Sequence, residues 1–322
     1  MMKAFLAGVL FGAALAVPTG AYGQDQAPAI VQHYEPDPAI WLVQDEDTRI
    51  YLLGTIHALP EGFRWRSARL DGIVAEADEL IVETSDEDLA DMSLEITRVI
   101  GPIAKRPRVS ERLSPANGRK WLALGESLGL EPDGFDRMPP LLALLGLGAT
   151  LGSRETGADS RFGVETVLEA EFEAAGKPIG SIESAADVLE SLLELDETLI
   201  IKDLDRELSR WDGKGPGTMF DGFAQKPESS GEAYSYAAHE HAWAQGEEVD
   251  VSDEIAGSTA FGRLMSKRLL DGRNRAWAEW LERRLETTPG TVLVAVGAGH
   301  LAGPRSVQAM LAERGLSSER LD

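Results

Sequence analysis

The sequence predicts an α/β (α+β) fold, with one mainly parallel or mixed β-sheet built from both ends of the chain. Helices flank this sheet, and a large helical insertion separates its two halves. Three observations predict this. Short apolar runs with strand character lie near the ends, at 39–54 and 79–83 and again at 291–296. Segments with a helical period fill the stretch between them. The run at 291–296 (TVLVAV) is uncharged, β-branched and continuous, the pattern of a central strand covered on both faces.

Taken in order, Lys3 gives a short positive start, and 4–17 (AFLAGVLFGAALAV) is apolar and uncharged. Pro18, Thr19 and Gly20 break the run, and Ala21-Tyr22-Gly23 places small residues where a signal peptidase reads. Residues 1–23 are therefore expected to be a signal peptide. The run is too short to span a bilayer comfortably, so cleavage is expected after Gly23, with export to the periplasm or beyond. Residues 24–38 read as a flexible leader. The runs 39–43 and 49–54 around an acidic turn predict a β-hairpin. Apolar positions 68, 70, 73, 74 and 77 predict a helix, and 79–83 a strand, which together suggest a βαβ unit.

Further on, Ser114 and Pro115 open a helix through 128. Pro139 and Pro140 open another over 141–151, and 163–175 is a third, closed by Gly176. Residues 178–182 read as a short buried strand and 185–210 as one long helical region. Gly, Pro and Ser accumulate at about 212–232, expected to be a mobile segment. A long amphipathic helical stretch, 260–286, precedes the strand at 291–296, and a last helix covers 304–314. The domain is expected to span 39–315, with the helical insertion at about 86–285.

Composition narrows the function. Fifty-four acidic residues against 31 basic give a net charge of −23. Such a surface repels phosphate backbones and anionic headgroups, so neither nucleic acid nor, after signal cleavage, a membrane is an expected partner. The chain has no cysteine. Disulfides, thiolate metal sites, thiol nucleophiles and a lipid-anchored N-terminal cysteine are excluded.

Two segments carry the same form at the end of a strand: Gly54-Thr55-Ile56-His57 and Gly297-Ala298-Gly299-His300. In open α/β sheets ligands bind beyond the carboxyl ends of strands. Histidine there supplies a nitrogen that binds metal or moves a proton. One such histidine is usually structural, but two in identical settings, in a chain with 5 histidines, suggest a shared site. Glu83 ends another strand and completes a set of two histidines and one carboxylate. That set suits a divalent ion (Mn, Co or Zn) with open positions. Arg273-Asn274 offers donors for a carboxylate or a developing oxyanion. His239-Glu240-His241 lacks the i, i+4 spacing of a helix-borne zinc motif and is read as a solvated helix face, with a weaker reading as a lid element. His33 lies in the leader and is read as silent. There is no P-loop, no strand-coupled Gly-x-Gly-x-x-Gly and no Gly-x-Ser-x-Gly.

Several motifs occur in a familiar order. They are Leu52-Leu53-Gly54-Thr55-Ile56-His57-x-x-Pro60, Ala77-Asp78-Glu79-Leu80-Ile81-Val82-Glu83, and Gly176-Lys177-Pro178-Ile179 with Ser181-Ile182-Glu183-Ser184. Leu270-x-x-Arg273-Asn274-x-x-Trp277 and Val296-Gly297-Ala298-Gly299-His300-Leu301-x-Gly303 follow. Across roughly 39–315 this set resembles the TraB/GumN family. The resemblance implies kinship with the Tiki metalloproteases and likeness to erythromycin esterases and haem-uptake ChaN proteins. It implies that His57, Glu83 and His300 are active-site residues, joined by Arg273 and Asn274. The implied activity is a metal-dependent hydrolase of peptidase type acting on a peptide or small molecule. Binding of haem, metal or a small ligand without turnover, or a polysaccharide-associated role, are the alternatives. The chain departs from the family at Gly163-Val164-Glu165, where Asp is usual in the last place, and no role is assigned to Glu165.

Overall fold

The computed structural model describes residues 30–85, 88, 105–214, 236–250 and 260–321. The expected signal peptide and most of the expected mobile segment at 212–232 lie outside them.

Strand β1 (Ile40–Gln44) turns through Asp45, whose carboxylate accepts from Thr48 N–H at 2.9 Å, into β2 (Thr48–Thr55). The two form the expected antiparallel hairpin. After a two-residue β3 (Leu59–Pro60), helix α1 (Ala68–Glu76) starts at Ser67, whose hydroxyl accepts from Leu70 N–H. That cap satisfies one of the amides a helix start leaves orphaned. Strand β4 (Glu79–Val82) follows.

The middle of the chain is helical: α2 (Val109–Arg112), α3 (Pro115–Ser127), α4 (Pro132–Arg137) and α5 (Pro140–Thr156). Then come β5 (Ala158–Asp159), a 3₁₀ turn at Ser160–Phe162, α6 (Val164–Ala174) and β6 (Ile179–Ser181). The region expected as one helix at 185–210 is two, α7 (Ala185–Leu193) and α8 (Glu197–Arg210). The break falls at Asp196, whose side chain caps α8 by accepting from Thr198 N–H at 2.8 Å. Helix α9 (Tyr236–Ala244) precedes α10 (Ala260–Ser266), a π-turn at Lys267–Asp271 and α11 (Gly272–Thr287). Strand β7 (Gly290–Gly297), a 3₁₀ turn at Ala298–Leu301, α12 (Val307–Glu313) and β8 (Glu319–Leu321) complete the chain.

The strands form a six-stranded mixed sheet in the order β6-β4-β7-β2-β1-β8. Strands β6, β4, β7 and β2 are mutually parallel, while β1 and β8 are antiparallel additions at one edge. Both chain ends contribute, as expected. Strand β6 arises inside the expected helical insertion and returns to the sheet, so that insertion is not continuous. It is also half-buried rather than buried, as an edge strand must be. Strand β8 pairs with β1 and carries the domain beyond the expected boundary at 315.

The alternation along β7 explains its uncharged sequence. Val292, Val294 and Val296 enter one core with Trp277, Leu281 and Leu311, while Leu293 and Ala295 enter the other with Ile73, Leu168 and Phe172. A third core, around Trp121, Leu147 and Leu204, belongs to the helices alone. The expected leader runs as coil from residue 30 to 38 and is tied down. Gln32 accepts from Arg64 N–H at 2.8 Å, Tyr34 Oη lies 2.6 Å from His241 Nδ1, and Asp37 N–H donates to the Ala244 carbonyl at 2.8 Å.

Candidate functional site

The four parallel strands all end at one edge, and each delivers a titratable side chain within three residues of its end. His57 follows β2, Glu83 follows β4, Glu183 follows β6 and His300 follows β7. The two Gly-x-x-His loops touch. A Cβ on Gly54 would lie 3.0 Å from Ala298 Cα, so the close approach requires glycine there. A Cβ on Gly297 would lie 3.0 Å from Glu83 Oε1, 3.3 Å from His57 Nε2 and 3.6 Å from His300 Cδ2. Both imidazoles and the glutamate thus face one small volume.

Each imidazole is held from behind through Nδ1, and the two holders differ in charge. His57 Nδ1 lies 2.6 Å from Glu165 Oε1, which also accepts from the Thr55 hydroxyl. Glu165 stands in the first turn of α6, and Val164 N–H donates to the Ile56 carbonyl at 3.1 Å, which pins that helix start beside the loop. His300 Nδ1 lies 2.5 Å from Asn274 Oδ1. The Asn274 amide nitrogen donates to the Arg305 carbonyl at 2.8 Å. A carbonyl only accepts, so Asn274 must turn its oxygen to His300 and Nδ1 must carry the hydrogen. In its neutral form His300 therefore presents a lone pair on Nε2, toward the side where Glu83 Oε1 stands 4.0 Å away. The Trp277 ring packs on the His300 ring with centroids 4.2 Å apart.

Glu83 is fully engaged. Oε1 accepts from Gly297 N–H at 2.7 Å, and Oε2 is paired with Arg273 Nη2. Arg273 is also gripped by Glu183, through Nε at 2.9 Å and Nη2 at 2.5 Å, and its Nη1 donates to the Leu269 carbonyl at 3.3 Å. The second oxygen of Glu183 accepts from Trp277 Nε1 at 2.9 Å.

These surroundings drive the ionisations apart. For His57, burial works to lower the pKa. The charge and hydrogen bond of Glu165, and then the charge of Glu83, outweigh it and raise the pKa to about 9. For His300, burial and then the Arg273 charge lower it to about 3. Burial works to raise the Glu83 pKa, but Arg273 above all brings it down to about 2. Burial raises that of Glu183.

The structure brings together all five residues singled out in the sequence, but two take other parts than expected. Arg273 is bound to two carboxylates and a carbonyl, and Asn274 to a histidine and a carbonyl. Both serve as holders rather than oxyanion donors in this arrangement. The ion-binding set expected of His57, Glu83 and His300 is not formed. The Arg273 guanidinium occupies the cation's place beside Glu83, and Gly297 N–H takes the other oxygen. Among the described residues no group of three or more His, Asp or Glu side chains is arranged to hold a metal ion.

Glu165 and Glu183 were not assigned roles from the sequence, yet both touch the site. Their signals were present: an acid in the first turn after Gly163, and an acid ending a short strand just as Glu83 does. The His239-Glu240-His241 face is not simply solvated. Glu240 is buried, and His241 packs edge-on against Phe63 and Tyr34.

Comparison with known proteins adds the following. A profile of the TraB/PrgY/gumN family matches residues 39–320. An uncharacterized protein YbaP of Escherichia coli (strain K12) is 25% identical over 280 residues, covering 85% of this chain and 92% of that protein. An uncharacterized protein YbaP of Shigella flexneri matches to the same extent. No solved structure matches.

Proposed function

The chain belongs to the TraB/PrgY/gumN family, and from that membership we propose that it is an exported hydrolase of ester or amide bonds that uses its two histidines as an unlike pair. The observation that carries this reading is the difference between the two Nδ1 partners. A carboxylate stands behind His57 and a neutral amide behind His300. Pairs of titratable groups pushed apart by their surroundings divide acid and base work between them.

His300 Nε2 acts as base. It takes a proton from water as the water oxygen bonds to the substrate carbonyl carbon. His57, protonated and backed by Glu165, faces the oxygen that gains charge, stabilises it and then gives its proton to the leaving nitrogen or oxygen as the scissile bond breaks. His300 afterwards loses its proton to solvent and His57 regains one. Glu83 and Arg273 keep the floor of the site charged but paired. Asn274 and Glu165 are positioning residues. A peptide is the favoured substrate class, with small esters and amides beside it.

One observation favours a metal-dependent version of the same hydrolase. Each histidine has an oxygen behind Nδ1 and Nε2 free toward the site, which is the outer arrangement of metal-binding histidines. Arg273 would first have to leave Glu83.

Export rests on the pattern of residues 1–23. Among the described residues, no helix is long and apolar enough to cross a membrane.

The test uses protein purified from the periplasm. It combines elemental analysis, N-terminal sequencing, and digestion of a peptide library and a panel of chromogenic esters, with His57→Gln and His300→Gln as controls. Expected are a start at Gln24, no stoichiometric metal, and turnover that both substitutions abolish. Stoichiometric metal lost in both variants would establish the metal-dependent version. Metal or another ligand held without turnover of any substrate would point to a binding protein.

A further inference from the structure

The long helical stretch that carries Arg273 and Asn274 is not one α-helix. Between α10 and α11, residues Lys267–Asp271 form a π-turn in which Gly272 N–H donates to the Lys267 carbonyl, five residues back. Such a turn holds one residue more than an α-turn. It lies directly before Arg273, and the Arg273 side chain donates to the carbonyl of Leu269 within it.

The sequence shows what the extra residue does. Each residue of an α-helix advances the direction of its side chain by about 100°. Met265 is buried upstream, and Asn274, Trp277, Ala278 and Leu281 are buried downstream. Counted along an uninterrupted α-helix, those four would point about 120° to 220° away from Met265, onto a different face. Taking one residue out of the count brings them to about 20° to 120°, a single face. Met265 lies in the helical core and Trp277 in the core beneath the sheet, so one rod rests on both. The same rotation turns Asn274 to His300 and Arg273 to Glu83 and Glu183.

We infer that the π-turn at 267–271 is a positioning device for the site: its extra residue sets the register at which Arg273 and Asn274 meet their partners while α10 stays seated in the helical core. This deepens the proposed function but stands on the contact between Asn274 and His300, so it holds or fails whether or not the site hydrolyses anything.

The test is deletion of Lys267, the exposed residue of the turn. It leaves a stretch able to run as plain α-helix. The readout is the pair of downfield imidazole N–H proton resonances, assigned with His300→Gln and Glu165→Gln. The His300 signal depends on α11, whereas the His57 signal depends on β2 and α6. Expected are loss of the His300 signal, retention of the His57 signal and unchanged helical circular dichroism. If the hydrolase reading is right, turnover also falls roughly 100-fold, the scale of a misplaced catalytic group. Retention of both signals would overturn the inference. Loss of both together with cooperative unfolding would also overturn it, since the extra residue would then serve the whole fold and not the site. A second measurement needs no variant: a through-hydrogen-bond coupling in the wild type from Gly272 N–H to the Lys267 carbonyl. A coupling to the Arg268 carbonyl instead would show an ordinary α-turn and end the idea.

Discussion

Asn274 fixes the tautomer of His300: its oxygen lies 2.5 Å from Nδ1 because its nitrogen is already committed to the Arg305 carbonyl at 2.8 Å. Asn274→Ala removes both partners inside the protein. An orphaned buried N–H and an orphaned carbonyl should lower stability by roughly 1–3 kcal/mol. Turnover should fall well beyond what that loss explains, because the ring is then free to rotate and to change tautomer. Denaturant unfolding and ¹⁵N spectra of the histidine ring check this. A His300 spectrum identical to wild type would show that something else holds the ring.

Glu165→Gln keeps the shape behind His57 and removes the charge. In the wild type the pKa is raised to about 9, so this pair adds stability that is fully present below about pH 6.5 and is lost as pH rises through about 9. In the variant the burial effect stands with less opposition, and His57 should titrate well below its wild-type value. A ring titration by NMR reads the shift directly. An unmoved His57 would mean that Glu83, not Glu165, keeps it charged.

Acid sensitivity should be visible at an unusually high pH. His300 refuses a proton down to about pH 3 when folded, whereas in the unfolded chain it accepts one near 6.5. Below pH 6.5 the unfolded state binds the extra proton, and stability falls. His57 adds no slope there, since it is protonated in both states. The wild type is expected to lose roughly 2 kcal/mol between pH 6.5 and 4.5 relative to His300→Gln. Parallel unfolding curves for the two proteins over that window would contradict the buried neutral ring.

Arg273 is the sole positive partner shown for two buried carboxylates, Glu83 and Glu183. Arg273→Met should therefore destabilise by about 3–5 kcal/mol, the range for breaking a buried ion pair from one side. Adding Glu83→Gln to that variant should recover part of the loss, since one uncompensated charge is gone. It should also change the answer about metals. With the guanidinium absent, Arg273→Met alone leaves Glu83 open beside two imidazoles, and calorimetry should detect tighter binding of added zinc than in the wild type. No zinc binding by a folded Arg273→Met variant would mean that the three donors are too rigidly placed to converge.

The candidate site was more legible in sequence than the fold around it. Chemistry at strand ends leaves a local trace, a Gly-x-x-His or a terminal Glu, and that trace survives without knowledge of neighbours. The roles of Arg273 and Asn274 were not legible, because a donor's role depends on which acceptor reaches it first. Here the acceptors are Glu83, Glu183 and the Arg305 carbonyl, all remote in sequence. Strand β8 was missed because Glu319-Arg320-Leu321 carries little strand pattern and is held by pairing with β1. The break at Asp196 was missed because apolar spacing continues across it, while the capping side chain decides the matter. The π-turn was hidden for a related reason: amphipathicity on either side looks continuous unless the phase is counted.

Gly297 has φ −49° and ψ 133°, angles open to any residue, so its backbone does not call for glycine. What calls for it is the crowd above it, three polar side chains within 4 Å of the missing Cβ. The working chamber of this protein is thus a vacancy one methyl group wide, left in the floor by a side chain that was never added. Gly297→Ala would keep every chemical group and every strand in place and simply fill the room. It separates two things that removal of a histidine confounds, possession of the reacting groups and space for a water molecule to stand among them.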